Sequence, residues 1–218
     1  MLRDDLILAF DTSAAHCAAA LVSGGQVLAH RSEEMARGQA ERLFPLLEEL
    51  LSEAGAGWKD LSRIGVGIGP GNFTGTRISV SAARGLALSL GIPALGVSSF
   101  EALAHGLPRP LIASVDARAG RLYLQRLADD AAEPPLLASH DSLPSAWFAP
   151  GVQVVGHAAP QLAALLGGQP VPAAAPLAQA IAAIAGARAP ERAARPAPLY
   201  LRPADAAPPR DGAPVILP

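Results

Sequence analysis

Between Gly65 and Arg77 the chain reads Gly-Val-Gly-Ile-Gly-Pro-Gly-Asn-Phe-Thr-Gly-Thr-Arg. A glycine-rich turn between an apolar strand (Ile64 to Ile68) and a helix of mostly small residues (about Thr74 to Leu90) can do two things. Glycine permits backbone angles that a side chain forbids, and the first N–H groups of the helix stay free to meet an anion or another piece of chain. The phosphate-binding signature is missing, since it needs Gly, four residues, Gly-Lys and then Ser or Thr, and no Lys occurs in this stretch. The dinucleotide signature also fails. Gly69 and Gly71 fit it, but its third glycine position is Thr74, and Gly75 comes one residue late. The favoured reading is structural: a tight turn, close packing, and a helix whose Ala82, Ala83, Gly85 and Ala87 let another helix approach.

Two aspartates form the other candidate constellation. Leu6-Ile7-Leu8-Ala9-Phe10-Asp11-Thr12-Ser13 is echoed by Leu111-Ile112-Ala113-Ser114-Val115-Asp116-Ala117-Arg118. In both, an apolar strand ends in Asp, a few small or polar residues follow, and a second strand begins. Asp11 reads first as a strand-end hydrogen-bond acceptor. His16, His30, His105, His140 and His157 are scattered, and none pairs at helical spacing, so no metal site shows. No Ser, His and Asp arrangement marks a nucleophile elbow. The one cysteine, Cys17, excludes an internal disulfide and a Cys-based zinc cluster. Arg118 and Arg121 read as a solvated basic rim, with an anion or tRNA contact as the minority reading.

The elements that must hold these residues follow from periodicity. Strands are expected at Leu6–Phe10, Cys17–Val22 and Gln26–Arg31, with a hairpin turn at Gly24-Gly25. A helix is expected from Gln39 to Ala54. Leu43, Leu47, Leu50 and Ala54 make one stripe, Phe44 and Leu51 widen it, and Leu46 falls away from it. Such a helix is either covered on two sides, by its own sheet and something else, or sunk inside a single core; periodicity alone leaves both open. Ile92–Val97 is a short strand, and Ser98 with Glu101 makes a capping box. Leu107–Pro110 is a Pro-rich joint that divides a first lobe (1–107) from a second (108–218). There, strands are expected at Arg121–Leu127 and Val152–Val155, and helices at Asp141–Phe148, Ala158–Leu166 and Leu177–Ala187. From Pro190 the chain reads as coil. With 218 residues, 50% of them hydrophobic but only 4% aromatic, the core must be built from Ala, Leu, Val and Ile. A net charge of −2 gives no general attraction to nucleic acid or anionic membrane. The N-terminus reads as neither a signal peptide nor a membrane span, so the expected compartment is the cytoplasm.

Strands alternating with helices argue for a layered α/β architecture. Two similar lobes, each with an Asp closing its first strand, resemble the two-lobed actin-like ATPase, sugar kinase and Hsp70-type fold. In those ATPases the two first-hairpin turns grip phosphates through glycine-rich backbone, and the Asp orders a metal. Here both Asp residues remain, but Ala14, Ala15, Ala117 and Ala119 stand where backbone should meet oxygens. Efficient ATP hydrolysis is not expected. A nucleotide or anion contact through Asp11, Thr12, Gly71 and Asn72 stays open.

Gly69-Pro70-Gly71-Asn72-Phe73-Thr74-Gly75-Thr76-Arg77 closely resembles the Gly-Pro-Gly-Ser-Phe-Thr-Gly-x-Arg motif of the TsaB (YeaZ) family. The likeness continues in Ile7–Ser13, in Gly91-Ile92-Pro93 with Gly96-Val97-Ser98-Ser99, in Asp116-Ala117-Arg118 and in Pro198-Leu199-Tyr200-Leu201-Arg202. Residues 130 to 195 match only in general layout. The resemblance implies an actin-like fold with a reduced second lobe. It also implies a non-catalytic subunit of the complex that makes N6-threonylcarbamoyladenosine next to the tRNA anticodon. Family members bind the catalytic relative TsaD through helices of the first lobe, TsaE joins the pair, and without TsaD they self-pair as homodimers. No metal and no resident cofactor is implied, a nucleotide between this chain and TsaD is left open, tRNA contact is indirect, and no membrane or DNA is involved. Carried onto this sequence, the helix-bundle interface would be Leu43, Leu47, Leu50, Ile78, Ala82 and Leu86. Two residues depart from the pattern: Gln39 stands where many members have His, and Asn72 replaces the usual Ser. The alternative is a stand-alone ATP-dependent kinase or peptidase of the same fold.

Overall fold

The computed structural model describes residues 5–128, 132–190 and 194–201. The first sheet has five strands. β1 (Leu6–Asp11) is buried along its whole length and takes the centre. It pairs antiparallel with β2 (His16–Ser23), which pairs antiparallel with β3 (Gln26–Glu34) through the Gly24-Gly25 turn, where both glycines have positive φ. On its other side β1 pairs parallel with β4 (Arg63–Gly67), and β4 with β5 (Ala94–Val97). α1 (Gln39–Glu53) and α2 (Phe73–Leu90) supply the crossovers that parallel pairing requires. α3 (Ser99–Ala104) follows, started by the Ser98–Glu101 capping box that the sequence predicts.

The second sheet repeats this plan. β6 (Leu111–Asp116) pairs antiparallel with β7 (Arg121–Leu127) and parallel with β9 (Gln153–Gly156). β8 (Leu136–Ser139) extends the sheet at one edge and β10 (Gln169–Pro170) at the other. The strand orders, β3-β2-β1-β4-β5 and β8-β7-β6-β9-β10, are equivalent. The echo between the two Asp-ended segments is therefore a structural repeat, and the chain has the expected two-lobed α/β fold.

The second copy is the smaller one. Where the first lobe has α1, the second has a single 3-10 turn, Ser145–Trp147, in place of the helix expected at Asp141–Phe148. Pro144 disfavours helical angles at Leu143, and Pro150 ends what could follow. α4 (Ala159–Leu166) covers β9 and β10. α5 (Leu177–Ala187) comes last in sequence, yet it packs on β1, β2, β4 and β5 of the first sheet, on the face opposite α1 and α2. Its approach is close because Gly65 has no side chain: a Cβ there would lie 3.0 Å from Ala185 and 3.1 Å from Ile181. Arg63 then holds the helix end, donating to the carbonyls of Ala185 (3.0 Å) and Gly186 (3.1 Å), as a cation at a helix C-terminus should. Residues 194–201 run back along the first lobe, where the Leu199 N–H donates to the Ile68 carbonyl. The sequence beyond Leu201, including Arg202, lies outside the described residues.

Candidate functional site: a closed glycine turn and an outward helix face

The glycine turn is filled by the chain's own backbone. β1 ends at Asp11, and the residues after it run straight into the β4–α2 connection. The Asn72 N–H donates to the Ser13 carbonyl, and Thr12 Oγ1 donates to the Gly75 carbonyl at 2.6 Å. Three glycines make this approach geometrically allowed. A Cβ on Gly67 would lie 1.8 Å from Asp11 Oδ2, one on Gly71 2.2 Å from the Ser13 carbonyl oxygen, and one on Gly75 1.9 Å from that of Thr12. The helix N-terminus is satisfied as well, because Asn72 Oδ1 accepts from the N–H groups of Thr74 (3.0 Å) and Gly75 (3.2 Å). Of the two roles open to a glycine turn, the structure uses the second: it receives another piece of the same chain.

Asp11 is locked in the same knot. It is 1% exposed, and its Oδ1 accepts from the Ser13 N–H (2.9 Å), from Ser13 Oγ (2.9 Å) and from His16 Nε2 (2.7 Å). Oδ2 is buried and has no partner among the described residues. Asp11 and Thr12 are thus closed off from any ligand, which corrects their assignment as nucleotide contacts; of the four residues proposed, Gly71 and Asn72 alone reach open space. The equivalent Asp116 is 53% exposed. It accepts the Arg118 N–H at 2.8 Å and stands 4.0 Å from His157 Nε2. His16 and His157 are the residues that sequence spacing missed. His16 reaches Asp11 across a hairpin turn and His157 reaches Asp116 from the end of the neighbouring strand β9, so no helical periodicity marks either pairing.

Between the lobes lies a cleft of about 400 Å³. Ser13, His16 and Asn72 face it from one side, and Ser114, Asp116, Arg118 and His157 from the other. Ser114 Oγ is buried with no partner among the described residues. The walls carry Ala14, Ala15, Leu103, Val115 and Leu177. These residues make no glycine-rich phosphate grip: Ala14 and Ala15 line the first turn, and the Asp116 carboxylate faces the same space.

The apolar stripe of α1 faces inward. Leu43, Leu47 and Leu50 are buried in the chain's own core with Leu8, Phe10, Leu21 and Val66. They form no docking surface on this chain, and Leu46, which lies three residues beyond Leu43, joins them. The breadth of the stripe reflects the single-core alternative. The outward side of α1 carries Glu41, Phe44, Pro45 and Glu48, with Phe44 42% exposed and its ring 6.3 Å from that of Trp58. On α2, Ile78, Ala82 and Leu86 are half-buried against the same core, while Phe73, Arg77, Ser81, Arg84, Gly85 and Leu88 face out. Leu88 is 78% exposed. Arg77 lies 3.9 Å over the Phe73 ring and donates to the Tyr200 hydroxyl at 2.7 Å.

A family model described as "TsaD: tRNA N6-adenosine threonylcarbamoyltransferase" matches residues 26–134, half of the chain. The chain is 38% identical over 122 residues to the tRNA threonylcarbamoyladenosine biosynthesis protein TsaB of Escherichia coli K12. That alignment covers 54% of this chain and 52% of the relative, so the chain spans about half the length of the curated TsaB relatives it matches. An uncharacterized protein of Mycobacterium tuberculosis H37Rv is 35% identical over 212 residues, 93% of this chain and 94% of that one. The crystal structure of a Pseudomonas aeruginosa protein with similarity to peptidase YEAZ superposes with a TM-score of 0.74 at 27% identity, covering 91% of this chain and all of that one.

Proposed function

The chain belongs to the TsaB (YeaZ) family, and we propose that it is a non-catalytic subunit of the machinery that places threonylcarbamoyl on the adenosine next to the anticodon of tRNA. In this reading it works in the cytoplasm and supports a TsaD-type catalytic subunit, with TsaE joining the pair and tRNA contacted through the partner. The observation that carries the non-catalytic half is the closed turn. Of the two turns that grip phosphates in two-lobed ATPases, the first is here tied through Thr12 and Ser13 to Gly75 and Asn72 of the same chain. The partner half draws on the outward side of α1 and α2, where Phe44 and Leu88 are apolar and exposed beside the small residues Ser81 and Gly85. Small residues at a helix apex let a second helix come close, and apolar ones give the contact its driving force.

Pull-down of the TsaD subunit by the purified chain tests this, read together with tRNA modification by the reconstituted set. Wild-type chain is expected to bind TsaD and to raise its turnover, while Phe44→Glu and Gly85→Arg lose binding and keep their circular dichroism. Turnover of ATP by the isolated chain, or unchanged TsaD binding by both variants, would remove the reading and favour the stand-alone enzyme.

A further inference from the structure

The cleft between the lobes has its free charges on one wall and apolar groups on the other. Asp116 and Arg118 both line it, two residues apart where β6 ends. They do not neutralise each other. Asp116 accepts the Arg118 backbone N–H at 2.8 Å and stands 4.0 Å from His157 Nε2, and both contacts fall on Oδ1. Asp116 Oδ2 and the Arg118 guanidinium have no hydrogen bond or ion pair among the described residues. An acid and a base side by side, each free, suit a ligand that carries both opposite charges. Ser114 lines the same space, and its buried Oγ has no partner among the described residues. A buried hydroxyl left unpaired costs free energy that a bound polar group can recover. The backbone at this rim is also unusual. Among the described residues, positive φ outside glycine occurs at Asp5, Arg118, Ala119 and Ala158, and the last three lie here. Such angles persist where the surroundings over-determine them, and they gather at ligand sites. Across the cleft stand Ala14, Ala15, Leu103 and Leu177, and His16 on that side is committed through Nε2 to Asp11.

We propose that this cleft binds a small zwitterion of the α-amino acid type with an apolar side chain. Its ammonium sits on Asp116, its carboxylate on Arg118, and its side chain against Ala14, Ala15 and Leu103. The volume of about 400 Å³ lies within the range of pockets that enclose small molecules. The charge pattern separates ligand classes. A phosphate ester brings negative charge to Asp116, which repels it. A simple amine leaves Arg118 unmet, and a simple carboxylate leaves Asp116 unmet. A guanidinium takes a carboxylate through two parallel N–H donors, which fixes orientation as well as adding strength. The site needs no second protein, so it stands or falls apart from the subunit reading.

Isothermal titration calorimetry on the full chain at neutral pH tests this, with L-leucine as the probe. Two analogues of the same shape each lack one charge: 3-methylbutylamine has no carboxylate, and 4-methylpentanoate has no ammonium. Leucine is expected to bind saturably, and each analogue on the order of tenfold more weakly, the loss of one charge-assisted contact. Asp116→Asn should bring leucine down to the level of 4-methylpentanoate and leave 4-methylpentanoate itself unchanged. Arg118→Ala should bring leucine down to the level of 3-methylbutylamine and leave that amine unchanged. A folding defect would weaken all three ligands together, so the selective loss separates the two causes. No heat from leucine, an analogue that binds as tightly as leucine, or variants that leave leucine binding unchanged would overturn the assignment. Heat from adenosine diphosphate with none from leucine would overturn it too, and would give the cleft to a nucleotide.

Discussion

The turn that begins at Asp11 and the turn that begins at Asp116 occupy equivalent places in two sheets of one plan, yet one is shut and the other open. Asp11 gathers three donors onto one oxygen and is sealed under a glycine connection. Asp116 has one backbone donor and a distant imidazole, and faces solvent. The hairpin turns differ, since Arg118, Ala119 and Gly120 of the second have positive φ and no residue between 12 and 15 of the first does, and they also meet different segments after the next parallel strand. After β4 come three glycines and an Asn-capped helix of 18 residues. After β9, Gly156 and His157 approach the Ser114 carbonyl, the His157 N–H donating at 2.9 Å, and α4 starts at once. A repeated strand order therefore carries no repeated function. The turn and the crossover that lands on it together decide whether each Asp is a structural acceptor or an accessible carboxylate.

Substitutions at matched positions should widen or erase this contrast. The largest effect is expected from Gly67→Ala, whose Cβ would overlap Asp11 Oδ2; a loss of about 3 kcal/mol in urea unfolding is expected. Gly120→Ala in the open turn, at φ 69° with nothing within 4 Å, should cost only about 1 kcal/mol from its left-handed angle. Equal losses at the two sites would mean that the first turn is not shut. Asp11→Asn comes next, at about 2 kcal/mol, since an amide oxygen is a weaker acceptor for three donors and its NH₂ brings two more. Asp116→Asn, on the exposed copy, should stay within about 0.5 kcal/mol by the same melt. A smaller effect is tied to pH. Burial first, then Glu33, pushes the Cys17 thiol up to about 11, whereas the thiol of the unfolded chain ionises earlier. The contribution is therefore whole below the ordinary thiol range and is lost as pH rises towards 11, by about 1 kcal/mol over the first unit. Cys17→Ala should flatten that slope, and an unchanged slope would assign the loss to other groups. Smallest of all, Arg118→Ala should leave stability within about 0.5 kcal/mol.

Much of this was legible in the residues. The period-two and period-3.6 patterns place most of the strands and helices within a residue or two, Leu177–Ala187 among them, but β3 runs on to Glu34 and β8 is not marked by any pattern. The family motif lies where β4 meets α2. What escaped was decided by contacts between distant segments. Leu43, Leu47 and Leu50 look alike as an inner or an outer stripe until α2 and the sheet are in place. The His16–Asp11 pair depends on a hairpin turn, the approach of His157 to Asp116 on the pairing of β6 with β9, and β10 is two residues long, below any pattern. The helix expected at Asp141–Phe148 is a 3-10 turn at Ser145–Trp147, because Pro144 disfavours helical angles at Leu143.

α5 gives the molecule a dependence on order of synthesis. The face of the first sheet made by Ile7, Ala9, Val22, Leu95 and Val97 is covered by Ala180, Ile181, Ala182 and Ala185. On a ribosome, where chains fold from the N-terminus, that face stays bare while the whole second lobe is being made. The first lobe is thus complete only when residues up to Ala187 have emerged. A chain stopped at residue 176 is expected to bind a hydrophobic dye and to be cut in β1 and β5 by protease; full-length resistance in that fragment would free the first lobe from its last helix. Until α5 arrives, β1 and β5 wait on a helix made long after them.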